Sequence, residues 1–200
     1  MTLVSVLPDR AAGFAPAARL LAHWWSRPTE EEVGSWAECW SGACEVAELL
    51  GLGCDGVEAL REAFVGSPVG ALLDEYERLL IGPGRAPCPP YESLWRGDGP
   101  RREQGRLMGT AAAEVVHLYR EIGLQVRADA HELPDLLTIE WEALAYAFEH
   151  DAGEAATSLV EKHLAVWIPP FCSAVEAEAE HPFYAALARL TGAWTEPLAG

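Results

Sequence analysis

Two hundred residues carry 31 acidic side chains against 14 Lys and Arg, a formal net charge of −17, and half of them are hydrophobic. That length fits one domain with a substantial core, and that charge argues against nucleic acid and against an anionic membrane surface, both of which select clustered cations. A basic peptide or protein is the natural complement, by steering more than by raw affinity; solubility charge alone is the competing account.

The N-terminus, Met1 to Arg10, lacks a basic segment followed by an apolar run, so no signal peptide is expected. No apolar stretch approaches the length of a membrane span. The cysteines, Cys39, Cys44, Cys54, Cys88 and Cys172, are odd in number and form no Cys-x-x-Cys pair. They read as reduced thiols, without zinc-ligand spacing. The expectation is a soluble cytoplasmic protein with no metal and no cofactor.

Helical periodicity runs through almost the whole chain. Phe14 to Trp25 forms a first helix that ends before Pro28. Thr29, with Glu32 three residues on, makes a capping box. It opens a helix bearing Val33, Trp36, Trp40, Cys44, Ala47 and Leu50, stopped by Gly51 and Gly53. Asp55 and Glu58 repeat the capping pattern for a short helix through Phe64. Leu72, Tyr76, Leu79 and Leu80 line the next one, ended by Gly82-Pro83-Gly84.

Residues 83–102 break the pattern. Pro and Gly from Gly82 to Pro90 cannot continue a helix, and the segment leads to Tyr91-Glu92-Ser93-Leu94-Trp95. A loop of about twenty residues is long for a compact helical domain, and such loops are functional or disordered; the aromatics Tyr91 and Trp95 argue against disorder. They serve either as anchors for the loop or as ligand contacts. Helices resume from Glu103 to Ile122, after which Gly123 and a linker from Val126 to His131 follow. Pro134 opens a helix to about Glu149, with Asp135 in its first turn, where a carboxylate suits the helix dipole. Glu154 to Glu180 is a long helix that Pro169-Pro170 must kink or split, and Pro182 to Trp194 is the last. The fold class is all-α: one helical bundle over residues 1–200, with the loop at 83–102 linking two helical halves.

Familiar catalytic signatures are missing: there is no Gly-x-Ser-x-Gly elbow, no phosphate-binding loop with its Lys, and no His-Glu-x-x-His. His131, Glu132 and Asp135 are the one set that could work as acid and base. The same carboxylates read equally as helix caps, or as contacts for an Arg of a bound peptide. Of the eight Trp, Trp36, Trp40, Trp141 and Trp167 fall at core spacing. Adjacent Trp24 and Trp25 point about 100° apart on a helix, which brings one of them to the surface.

Several segments in consistent order resemble the TorD/DmsD/NarJ family of redox-enzyme maturation chaperones. They are Asp74 to Gly84 (DEYERLLIGPG), Pro89 to Trp95 (PPYESLW), Tyr119 to Leu124 (YREIGL), Glu132 to Glu140 (ELPDLLTIE), His163 to Pro169 (HLAVWIP) and Pro182-Phe183-Tyr184. The similarity covers roughly residues 14 to 195. One departure stands out: the family pattern Glu-Pro-x-Asp-His becomes Glu132-Leu133-Pro134-Asp135-Leu136, so Asp–His chemistry is lost and nucleotide binding is put in doubt.

The resemblance implies a TorD-like all-helical chaperone without catalytic residues. It would bind the immature catalytic subunit of a molybdenum oxidoreductase of the dimethyl sulfoxide reductase family, through its N-terminal leader peptide. It would support cofactor insertion before assembly or twin-arginine export. Carried over residue by residue, the peptide site comprises Tyr91, Glu92, Ser93, Trp95, Glu132, Pro134, Asp135 and Leu136. A twin-arginine leader joins two cations to an apolar stretch. Glu92, Glu132 and Asp135 complement the first, and Tyr91, Trp95 and Leu136 the second. Residues 132–200 hold twelve acids against Lys162 and Arg189, a local balance of −10. A monomer or a dimer swapped through the long connector is expected. A small helical enzyme using His131, Glu132 and Asp135, or a permanent scaffold subunit, are the alternatives.

Overall fold

A computed structural model describes residues 7–82, 84, 86–96, 107–127 and 132–199. The first half contributes α1 (Leu7–Trp24), α2 (Glu30–Glu38), α3 (Trp40–Leu49), α4 (Asp55–Phe64) and α5 (Val69–Tyr76). The short α6 (Glu92–Trp95) follows, then α7 (Thr110–Glu121), α8 (Leu137–Glu149), α9 (Gly153–Leu159), α10 (Ala165–Glu178) and α11 (Pro182–Ala199). Among the described residues the lone extended pairing is a single antiparallel bridge, Tyr91 to Leu136. The fold is all-α, as the periodicity requires. Helices from the two ends of the chain interleave: α1 lies against α8 and α3, and α11 against α10 and α4. No described helix is long and apolar enough to cross a membrane.

Local chemistry explains most boundaries. Thr29 accepts the Glu32 N–H at 3.2 Å and so starts α2 as a side-chain cap. The helix expected from there to Leu50 is interrupted at Cys39, and α3 begins at Trp40. Asp55 is not a cap: it is already the first residue of α4, and the preceding Cys54 contributes its carbonyl to Glu58 N–H at 2.9 Å. The helix expected from Glu103 starts only at Thr110, because Met108 has φ of 62°, a left-handed value that breaks a helix; residues 103–106 lie outside the described set. Pro134 and Asp135 form a turn ahead of α8 instead of its first turn.

Two five-residue π-turns interrupt the helices, Glu77–Ile81 after α5 and Val160–Leu164 between α9 and α10. The first closes on Gly82, at φ of 66°, where a Cβ would meet the Ala86 backbone at 3.1 Å. The second sits just before Pro169-Pro170. These prolines donate no N–H to Ala165 and Val166, yet α10 runs through them without a break. The expected irregularity lies one turn upstream, in the wide π-turn, a type of bulge common at functional sites.

Aromatic stacking dominates the core. Trp36 stacks on Phe183 with ring centroids 5.4 Å apart, and Trp24 stacks on Trp40 at 5.3 Å. Trp24 and Trp25 are both buried, against the expectation that one reaches the surface. Their divergent directions are used by two different neighbours: Trp24 meets Trp194, while Trp25 meets Phe171 and donates to Thr191 Oγ1 at 2.9 Å. Trp40 is only partly buried. The five-thiol reading fails at one pair, since Cys44 and Cys54 are joined as a disulfide across the α3–α4 turn with Cα atoms 4.9 Å apart, in which Cys39, Cys88 and Cys172 take no part. A separation of ten residues hid this pair because helical return, not sequence proximity, brings it together.

Candidate functional site

The two sequence motifs meet. Leu137 N–H donates to Pro90 O at 2.9 Å and Glu92 N–H donates to Asp135 O at 3.0 Å, on either side of the Tyr91–Leu136 bridge. The Asp135 carboxylate then accepts Ser93 N–H at 3.0 Å, satisfying an amide in the first turn of α6 from the opposite segment. Residues 89–95 are thus strapped onto the turn that precedes α8. Trp95 ties the strap to itself by donating to Pro89 O at 2.7 Å, and packs edge-on against Phe171. Tyr119 anchors the other side, its hydroxyl donating to Pro134 O at 2.9 Å.

Beneath the strap lies a buried polar cluster. Glu92 faces His163 Nδ1 at 2.9 Å, with Arg96 Nε at 3.2 Å. His163 comes from the second π-turn, and Arg96 also donates to the Lys162 carbonyl of that turn and to Glu114 Oε2 at 3.0 Å. Glu140, fully buried, accepts Trp167 Nε1–H at 3.0 Å. Burial, then the nearby Glu92 and Asp135 charges, push the Glu140 carboxyl well above the ordinary range; the Trp167 bond opposes this only in part. The Tyr119 hydroxyl is raised too, by burial and by the surrounding carboxylates. Ser93 Oγ, Asp135 Oδ1 and Glu140 Oε1 have no hydrogen-bond partner among the described residues.

The eight residues expected to hold a peptide therefore divide. Glu92 and Asp135 are fully buried and Ser93 nearly so. Their polar groups are turned inward, which corrects the expectation that Glu92 and Asp135 present carboxylates to a ligand. Tyr91, Trp95, Pro134 and Leu136 are half-buried, and Glu132 is exposed. Burial and the Asp135 and Glu132 charges raise the Tyr91 hydroxyl. Of the acid–base alternative, Glu132 faces solvent and Asp135 faces Ser93, while His131 lies outside the described residues.

Glu132 opens onto a cavity of about 300 Å³ walled by Tyr119, Val126, Ile139, Ala143 and Tyr146. Arg19, Gln125, Arg127 and Glu142 supply its polar rim. Apolar walls with a few polar groups suit a side chain or a short segment of peptide. Packing pushes the Glu142 carboxyl upward, Arg19 opposes this, and Glu132 adds to it. Among the described residues no three His, Cys, Asp or Glu are grouped to hold a metal ion.

Sequence reasoning missed the inner partners His163, Arg96, Glu140 and Tyr119. His163 and Tyr119 lie within quoted motifs, yet nothing in their spacing places them on Glu92 or Pro134. It also missed Glu75, buried near the opposite end of α5. Glu75 accepts Arg78 Nε–H at 2.7 Å and the backbone N–H groups of Glu180 and His181.

Residues 53–173 match the family described as nitrate reductase delta subunit. A Tat proofreading chaperone DmsD of Salmonella typhi is 29% identical over 120 residues, 60% of this chain and 56% of that protein. A chaperone protein TorD of Shewanella pealeana is 28% identical over 153 residues, 76% of this chain and 64% of that protein. The matched region thus spans little more than half of the Salmonella relative. A crystal structure of a candidate redox enzyme maturation protein from Archaeoglobus fulgidus superposes with a TM-score of 0.62 over 98% of both chains, at 24% identity, and shares the fold.

Proposed function

The chain belongs to the nitrate reductase delta subunit family, whose matched relatives are named as chaperones, not enzymes; from that membership we propose that it is a maturation chaperone for a molybdenum oxidoreductase. Its client is the immature catalytic subunit of a dimethyl sulfoxide reductase family enzyme, held in the cytoplasm through its N-terminal leader until the cofactor is inserted. Differential affinity for the immature client drives the cycle, since a ligand shifts only an equilibrium it reads differently in two states.

The observation that carries this reading is the junction of the Tyr91 strap with the Glu132–Leu136 turn beside an open cavity. Two segments remote in sequence are fixed as one surface, with Tyr91, Trp95, Pro134 and Leu136 half-exposed along it and Glu132 at its mouth. Glu92, Ser93 and Asp135 act from beneath by holding that surface in shape. The peptide meets the half-exposed residues and the cavity walls, and a cation on it meets Glu132. The chain works as one helical domain, as a monomer or as a dimer swapped through the connector.

Isothermal titration with a synthetic leader of the client, together with capture of the unprocessed subunit from cells, tests this reading. Retention of the immature subunit and saturable leader binding support it. Capture of only the mature, assembled enzyme overturns it in favour of a permanent subunit.

A further inference from the structure

Arg19 lines three adjoining cavities. The first is the 300 Å³ cavity at Glu132. A second, of about 430 Å³, continues past Glu142 to Ala22, His23, Glu32 and Cys39. A third, of about 660 Å³, follows Leu20 and Cys39 to Pro16, Val46 and Glu149. The three lie side by side along α1 and are treated as one groove: Glu142 lines the first two, and Leu20 and Cys39 the last two. Its walls mix aliphatic side chains with five carboxylates, Glu32, Glu38, Glu132, Glu142 and Glu149. Arg19 and Arg127 are the guanidinium groups set against them.

Arg19 crosses this groove to Glu149, from α1 to the end of α8. Its Nε donates to Oε1 at 3.1 Å and its Nη2 to Oε2 at 2.7 Å, the two-pronged geometry in which a guanidinium fits a carboxylate best. Both side chains remain substantially solvated, 48% and 38% exposed. Solvent and salt screen a pair this exposed, which limits what its good geometry contributes and leaves it open to competition from another cation. The protein thus seats one of its own guanidinium groups, loosely, among carboxylates that line an apolar-walled channel ending at the candidate peptide site.

We propose that Arg19 is a displaceable internal occupant of this groove, and that an arginine of a cationic, amphipathic client segment takes its place on Glu149 and Glu142. The inference rests on the client-binding reading above and extends it from the Glu132 turn along α1. Charge complementarity selects the occupant: five groove carboxylates on a chain of net charge −17 favour a basic segment. The aliphatic walls accept the apolar residues that follow it. The internal arginine gives specificity, because a segment lacking a cation gains nothing by displacing it.

This has an unusual sign. Removing Arg19 should strengthen binding, since the client no longer competes with it. The test is fluorescence anisotropy on the full chain with two labelled synthetic peptides, one carrying an Arg-Arg pair followed by a run of leucine and alanine, the other with Gln-Gln in its place. Arg19→Gln should tighten the Arg-Arg peptide about threefold to fivefold and leave the Gln-Gln peptide unchanged. Arg19→Lys keeps the charge but cannot fork, and should fall between. Arg61→Gln, the same charge change on α4 away from the groove, serves as control and should bind both peptides as the wild type does. If the wild type binds the Arg-Arg peptide but Arg19→Gln and Arg61→Gln behave alike, the groove inference is overturned and client binding stands. If no variant binds either peptide, both are overturned.

Discussion

His163 Nδ1 lies 2.9 Å from both carboxylate oxygens of Glu92, and neither side chain is more than 2% exposed. The pair joins the strap of residues 89–95 to the π-turn between α9 and α10, so the outer surface of the candidate site rests on a buried contact beneath it. A buried charge is tolerated only while its partners stay in place.

Glu92→Gln should therefore act on the whole fold. It replaces the carboxylate that His163 Nδ1 and Arg96 share with a neutral amide. Breaking one side of a buried pair costs about 3 kcal/mol, which urea denaturation reads directly as a lower midpoint at unchanged slope. A lost slope instead would mean that the strap had opened in the native state.

Glu140 sets an alkaline limit. Its folded pKa is raised, so at pH below its ordinary value near 4.5 both folded and unfolded chains hold the proton and the contribution is full. As pH rises above that value the unfolded chain releases the proton while the folded one retains it, and stability falls until the folded pKa is passed. Glu140→Gln keeps a neutral group of the same shape and a partner for Trp167. The variant should lose the decline, so its denaturation midpoints should vary less with pH above the ordinary carboxyl range than those of the wild type.

Glu75 works in the opposite direction. Burial alone would raise its carboxyl, but the Arg78 bond and the Glu180 and His181 N–H groups outweigh it and hold the carboxyl below the ordinary range. Its contribution is present above about 4.5 and is lost as pH falls through the depressed value. Because it fastens the turn between α10 and α11 to α5, Glu75→Gln should reduce stability at neutral pH and blunt the acid limb of unfolding. Far-ultraviolet circular dichroism followed from pH 7 downward checks both effects.

Most of the helical fold was legible from local rules, although the Asp55 cap and the Pro169-Pro170 kink were not realised. Periodicity of three and four marked the apolar faces that became helices α2 to α5 and α7 to α11, and the Thr29 cap lies where its spacing placed it. What was illegible depends on long-range return of the chain. The Trp24–Trp25 pair could not be assigned to two buried neighbours, because Trp194 and Phe171 come from far along the sequence. The same holds at the site. The Tyr91 and Glu132 segments were both visible, but the inward turn of Glu92 and Asp135 depends on His163 and Ser93, and a carboxylate looks alike in sequence whether it faces water or a buried imidazole.

That distinction separates Asp135 from Glu132 in a single experiment. If Asp135 met the peptide, as the resemblance implies, Asp135→Ala would weaken leader binding with the fold intact. The structure changes this expectation, because the Asp135 carboxylate accepts Ser93 N–H and is fully buried. Its removal leaves a buried amide unsatisfied, a loss of about 1–3 kcal/mol, and loosens the strap from the turn before α8. Helix content should change little, since α8 starts at Leu137 without a side-chain cap from Asp135. Glu132→Gln touches no buried group, so its melting temperature should match the wild type. Its affinity for a cationic leader should drop, and the difference from wild type should shrink as salt screens the exposed carboxylate. Calorimetry on both variants, with melting curves alongside, decides between the two roles: equal losses of affinity at equal stability would place both carboxylates at the peptide, whereas lost stability in Asp135→Ala alone keeps Asp135 beneath it.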